Sequence, residues 1–218
     1  MHRSAIRPIG ILVSVLATTV ALPLFAPAAD AEPLPPASRP VHPVYPIPKD
    51  ETSKQAVLRG CKVFDTCDVD YVRELFVAQG DAESCFVESY CLYAVALTRV
   101  ELSVRKQFGD KAGDDLVHAA GEQTTADAEA AVEKVEGDRA EVTLRGATGP
   151  SILHRIDGVW KVKASDMLVG MKPEEVKGLT DGYIGWFADL NEINHKLVTG
   201  GYKSAAEVSA AVKQLVNP

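Results

Sequence analysis

From Phe86 to Val104 the apolar residues Phe86, Tyr90, Tyr93, Leu97, Val100 and Val104 recur at spacings of four, three, four, three and four. That rhythm is the 3.6-residue period of an α-helix with one apolar stripe, about five turns long, so a long helix must lie against a core here. Asp81 is placed to cap it and Gly109 to end it.

The neighbouring segments are organised around this helix. Glu51 to Asp65 reads as helical, with Val57, Cys61 and Phe64 on one face, and Asp68 can cap a second helix over "DVDYVRELFVA". After a polar passage rich in Gly and Ala, Asp110 to Thr125, the pattern turns to β. "VEGDRAEV", "EVTLRG" and "SILHRIDGVWKVKA" predict an antiparallel meander of three or four strands. A two-residue turn at Asp157-Gly158 sets Ile156 opposite Val159 and Arg155 opposite Trp160, with Leu153, Trp160, Val162 and Ala164 on the buried face. Helix then returns. Pro173 followed by Glu174 and Glu175 opens one that carries Val176, Leu179, Tyr183, Trp186, Leu190, Ile193 and Leu197 inward, and Gly200-Gly201 closes it. Ser204 to Glu207 is a capping box for the last helix. The expected fold class is α+β: N-terminal helices on a three- to four-stranded meander, then two C-terminal helices.

The N-terminus carries an address. Arg3 and Arg7 precede an apolar run from Ile9 to Ala26, and Ala29-Asp30-Ala31 has the small-x-small pattern of a signal peptidase site, so residues 1–31 read as a signal peptide and the protein as exported. Residues 32–49 hold "PLPPASRPVHPVYPIP", seven prolines in sixteen residues, an extended spacer. The globular part divides into residues 50–168 and a helical extension over 169–218. The formal charge of −7 becomes −8 when cleavage removes Arg3, Arg7 and Asp30. Such a balance speaks against nucleic acid and against an anionic membrane as partners, since both need a basic surface.

All four cysteines sit in two runs with five residues between each pair, Cys61 with Cys67 and Cys85 with Cys91. Six residues of helix rise about 9 Å, beyond disulfide reach, so Cys85 and Cys91 do not pair with each other. The spacing is also wrong for zinc and for a C-x-x-C redox pair. In an exported chain the expectation is two long-range disulfides clamping the long helix to the segment before it, as 61–91 with 67–85 or as 61–85 with 67–91.

"CKVFDTCDVDYVRELF", the helix ending "VRKQFG", "VEGDRAEVTLRG" and "LHRIDGVWKV" together are similar to small exported domains of the nuclear transport factor two-like superfamily, the α+β cone shared with SnoaL-like and ketosteroid-isomerase-like proteins. The resemblance covers about residues 50–168 and implies a curved sheet wrapped on helices with a pocket between, used for binding, for association and sometimes for catalysis. The cysteine pairs and the helices after Asp166 depart from that pattern.

Catalytic motifs are sparse. No serine elbow, phosphate loop, cofactor motif or metal set stands out. Asp65, Asp68 and Asp70 lack the Gly and distal Glu of a calcium loop, which leaves capping as their role. His118 and His195 stand alone, and His154 is expected to face solvent beside Lys161. Tyr90, Tyr93, Arg155 and Trp160 are the candidate pocket residues. The expected function is a non-catalytic module for a small apolar ligand, a protein partner or a second copy of itself. The alternative is a cone-type isomerase, cyclase or hydrolase, which needs a carboxylate base in an apolar cavity beside a buried donor.

Overall fold

A computed structural model describes Pro48 and residues 50–216. The expected signal peptide and, apart from Pro48, the proline tract lie outside these residues. The first helix, α1 (Ser53–Asp65), starts at a reciprocal cap: Thr52 accepts from the Gln55 amide at 3.1 Å, and Gln55 accepts from the Thr52 amide at 2.8 Å. Asp68 then caps α2 (Val69–Arg73), accepting from the Asp70 amide. This second helix is shorter than its sequence predicts. Phe76 and Val77 leave it to form β1 (Phe76–Val77), because the Leu75 carbonyl and these β-prone residues complete the edge of the sheet.

The long helix is present as α3 (Gly80–Phe108), 29 residues that end at Gly109 with φ 93°. All six residues of the predicted stripe are buried. Gln79, not Asp81, occupies the capping position, and its amide donates to Glu83 at 2.7 Å. The polar passage that follows contains α4 (Asp110–Ala119) and leads to α5 (Thr125–Glu129). Gly113 is required where α4 meets α3, since a Cβ there would lie 2.2 Å from Cγ of Arg105.

The meander is β2 (Val132–Glu136), β3 (Arg139–Thr143), β4 (Ser151–Ile156) and β5 (Val159–Lys163), all antiparallel, with β1 added in parallel outside β5. Asp157 and Gly158 both have positive φ, as a two-residue primed turn requires, and Arg155 faces Trp160. Leu153, Trp160, Val162 and Ala164 are buried. Ala164 opens the short α6 (Ala164–Met167), and α7 (Pro173–Val198) and α8 (Ala205–Val216) follow. The fold is α+β, with eight helices and a five-stranded mixed sheet among the described residues.

The core has two parts joined through α1 and β5. One packs Ala56 and Val57 of α1 on Ala140, Val142, Leu153 and Trp160 of the sheet. The other surrounds α3, where Tyr183 of α7 meets Tyr90 edge-on and Tyr183 and Trp186 pack at a tilt on Tyr93, with ring centroids 5.1–5.6 Å apart. The C-terminal helices therefore share the central core.

The covalent clamp expected of the cysteines is absent: Cys61, Cys67, Cys85 and Cys91 are free thiols. The cause is the register of α1 along α3. Cys61 borders the same cavity as Ala94, Leu97 and Glu101, and the Cys67 carbonyl accepts from Arg99 at 3.2 Å. Arg99 is eight residues past Cys91 and fourteen past Cys85, about 12 and 21 Å along the helix. The contact places the Cys67 backbone nearer the C-terminal half of α3 than the turns that carry Cys85 and Cys91. Cys91 is instead a small core residue and Cys85 is exposed.

Candidate functional site

The four residues expected to share a pocket are divided by the structure. Tyr90 and Trp160 line a cavity of about 30 Å³ between sheet and helices, with Val57 and Phe64 from α1 and Leu153 from β4. That is room for a water or two, where ligand pockets run to several hundred Å³. Tyr93 faces a second cavity, and Arg155 lines neither. Its guanidinium lies over the Trp160 ring, 5.6 Å from the centroid, while the indole N–H donates to the Glu51 carbonyl at 3.0 Å. Trp160 thus anchors the start of α1 to the sheet.

The second cavity, about 70 Å³, is where the chemistry collects. Its walls are Cys61, Phe64 and Asp65 of α1, Tyr93, Thr98 and Glu101 of α3, Val117 of α4, and Glu122 to Thr125. Backbone geometry carries Glu122 into it. At the end of α4 the Gly121 amide donates to the His118 carbonyl and the Glu122 amide to that of Val117, both at 3.0 Å, with Gly121 at φ 82°. This is a Schellman ending, whose last position normally holds an apolar residue packed back on the helix. Here that position is glutamate.

The other side of Glu122 is tied down as firmly. Thr124 caps α5 in a reciprocal box with Asp127. The Asp127 carboxylate accepts from the Thr124 amide at 2.9 Å and hydroxyl at 2.8 Å, from Arg145 at 2.9 Å, and meets His118 at 2.9 Å. Burial alone would raise the Asp127 carboxyl, but these donors outweigh it and hold it well below the usual carboxylate range. His118, without an expected role, is part of this brace. Glu122 and Gln123 are held between two caps.

Glu122 is 4% exposed, and its Oε2 has no hydrogen-bond partner. Burial pushes its carboxyl up to about 8. Burial also raises the Tyr90, Tyr93 and Tyr183 hydroxyls, and the nearby Glu122 carboxyl adds to the effect. The Tyr90 hydroxyl and Gln123 Oε1 are likewise buried without a partner. Cys61 is pushed up to about 11 by burial and then by Asp65. Burial raises Glu101 and Asp65 against the opposing pull of Arg105, which bonds Glu101 and Asp114. The walls of this cavity include no Lys, Arg or His.

Among the described residues no three His, Cys, Asp or Glu side chains converge as metal ligands, and no helix is long and apolar enough to cross a membrane. His154 is turned from solvent by Asp166, at 2.7 Å, and does not stand free beside Lys161. Asp68 caps as expected, whereas Asp65 joins the cavity wall. Glu122 was not among the candidate residues. Its only trace in the sequence is the Gly121-Glu122 step, legible once α4 is known to end there. The chain matches no protein-family model, no curated protein and no solved structure.

Proposed function

We propose that the chain is an exported, non-catalytic binding domain whose ligand enters the cavity around Glu122. A buried carboxyl with an unpartnered oxygen, set where an apolar side chain would serve stability better, carries this reading. The likeness to the nuclear transport factor two-like cone agrees with it, taking α1 to α3 and the meander as the cone and α7 and α8 as additions. Export rests on the N-terminal pattern of Arg3 to Ala31.

The sequence points to an apolar ligand in a pocket between sheet and helices. The polar cavity between α1, α3 and the α4–α5 link offers a guest more to hold. Protein-observed NMR against molecules of up to about six heavy atoms tests the reading. Hits should shift the amides of Glu122 to Thr125 and of Tyr93 to Thr98. Hits that leave both segments unmoved refute it.

The same carboxyl favours a second reading, a cone-type isomerase, cyclase or hydrolase, because a base with a value near 8 beside buried tyrosines suits proton transfer at a carbon. It ranks second since about 70 Å³ admits few heavy atoms. Deuterium wash-in from D2O into a bound hit, lost in Glu122→Gln, would promote it.

A further inference from the structure

We infer that the ligand of the Glu122 cavity is a small organic cation, an alkylammonium of one or two carbons whose ammonium group bonds Glu122. This rests on the reading that the cavity is the binding site, and adds the charge and size of what fills it.

Three observations lead there. First, the walls carry carboxyls from three elements, Asp65 on α1, Glu101 on α3 and Glu122 after α4, and no basic side chain. Arg105 serves Glu101 from outside and is shared with Asp114, so the Glu122 carboxyl is left without a cation. Second, the orphan atoms in its walls are oxygens, Oε2 of Glu122 and Oε1 of Gln123, both buried without a partner, and once Glu122 is ionised both can only accept. An ammonium group is all donors and no acceptor, so it matches this set where a carboxylate or phosphate would not. Third, Tyr93 gives the cavity an aromatic wall for the methyl or methylene groups beside the charge. Apolar carbons also find Phe64, Ala94 and Leu97. The convergence of fewer than three metal-type ligands argues against a bare divalent ion among the described residues.

Binding must then be linked to protons. With its value near 8, Glu122 is protonated at pH 6 to 7 in the empty cavity, so a cation has to displace that proton. The other titratable groups facing it are Cys61 and Asp65 from α1, Tyr93 and Glu101 from α3, with Tyr90 and Tyr183 nearby. The thiol and the tyrosyl hydroxyls stay protonated through pH 8, because burial raises them all. Asp65 and Glu101 are also raised, so the proton is assigned by mutation.

The test is an NMR titration of the mature protein and of Glu122→Gln with ethylammonium chloride, ethanol and sodium acetate at constant ionic strength, from pH 6 to 8. Ethylammonium should saturate shifts at Glu122 to Thr125, with affinity rising close to tenfold from pH 6 to 7 and about fivefold from pH 7 to 8. In Glu122→Gln it should bind at least tenfold more weakly, with the pH slope gone. Ethanol or acetate binding as tightly as ethylammonium overturns the cation while leaving the site standing. An affinity indifferent to the substitution or to pH overturns it too. If none of the three probes moves those amides, the site and the cation fail together.

Discussion

Glu122→Gln keeps the shape of the side chain and removes its titration, which turns the buried carboxyl into a measurable quantity. In the unfolded chain the group has its ordinary value of 4.5, and in the fold burial raises it to about 8. A value raised by folding means that the group opposes the fold little below pH 4.5, and costs progressively more as the pH rises towards 8. The cost at pH 5 is about 1 kcal/mol and at pH 7 about 3 kcal/mol, from 1.36 kcal/mol per unit. Glutamine carries no such pH dependence. The stability of Glu122→Gln relative to the parent should therefore improve by about 2 to 3 kcal/mol between pH 5 and pH 7. Urea denaturation of both proteins at the two pH values reads this directly. With a slope near 2 kcal/mol per molar, the gap between midpoints should widen by roughly 1 M. All other groups titrate alike in both proteins and cancel. A gap that is the same at pH 5 and pH 7 would show that Glu122 is solvated or paired, and would refute a binding site built on a buried, unpartnered carboxyl.

Three further outcomes are expected. Asp127→Asn should cost about 1.5 to 3 kcal/mol at pH 7, since buried charge-assisted hydrogen bonds from Thr124 and Arg145 weaken. Because folding lowers the Asp127 carboxyl, its contribution is present at neutral pH and lost as pH falls through the carboxylate range, so the variant should differ from the parent less at pH 3 than at pH 7. In the native protein iodoacetamide at pH 8 should label the exposed Cys85 first, with Cys61 and Cys91 protected by burial and by values of about 11 and 12; an intact mass lighter by two or four hydrogens, or equal labelling of Cys91, contradicts this. Tyr183→Ala should cost about 3 to 5 kcal/mol by urea denaturation, because the ring is 1% exposed between Tyr90, Tyr93 and Trp186, and a loss below 1 kcal/mol would mean that α7 docks by other contacts.

The parts of the fold with a strong period were open to reading from the residues. The stripe from Phe86 to Val104, the α7 series from Val176 to Leu197 and the Asp157-Gly158 turn each carry a local rule that tertiary contacts reinforce. Phe76 and Val77 were hidden because two residues cannot display a period; only the distant Val162 makes them a strand. α4 was hidden because Leu116 and Val117 are its only large buried residues, too few to announce a helix. That omission concealed the site as well, since Glu122 is meaningful only at the end of α4. The cysteine expectation failed for a different reason. Spacing in the chain says nothing of where the segment after α1 meets α3, and Cys67 in that segment meets Arg99.

Phe64 stands in the wall of both cavities, under the sheet on one side and beside Glu122 on the other. One aromatic ring is thus a partition between an oily chamber and an acidic one. A guest long enough to reach from one chamber into the other would have to pass that ring, so the side chain of Phe64 stands where the two would communicate.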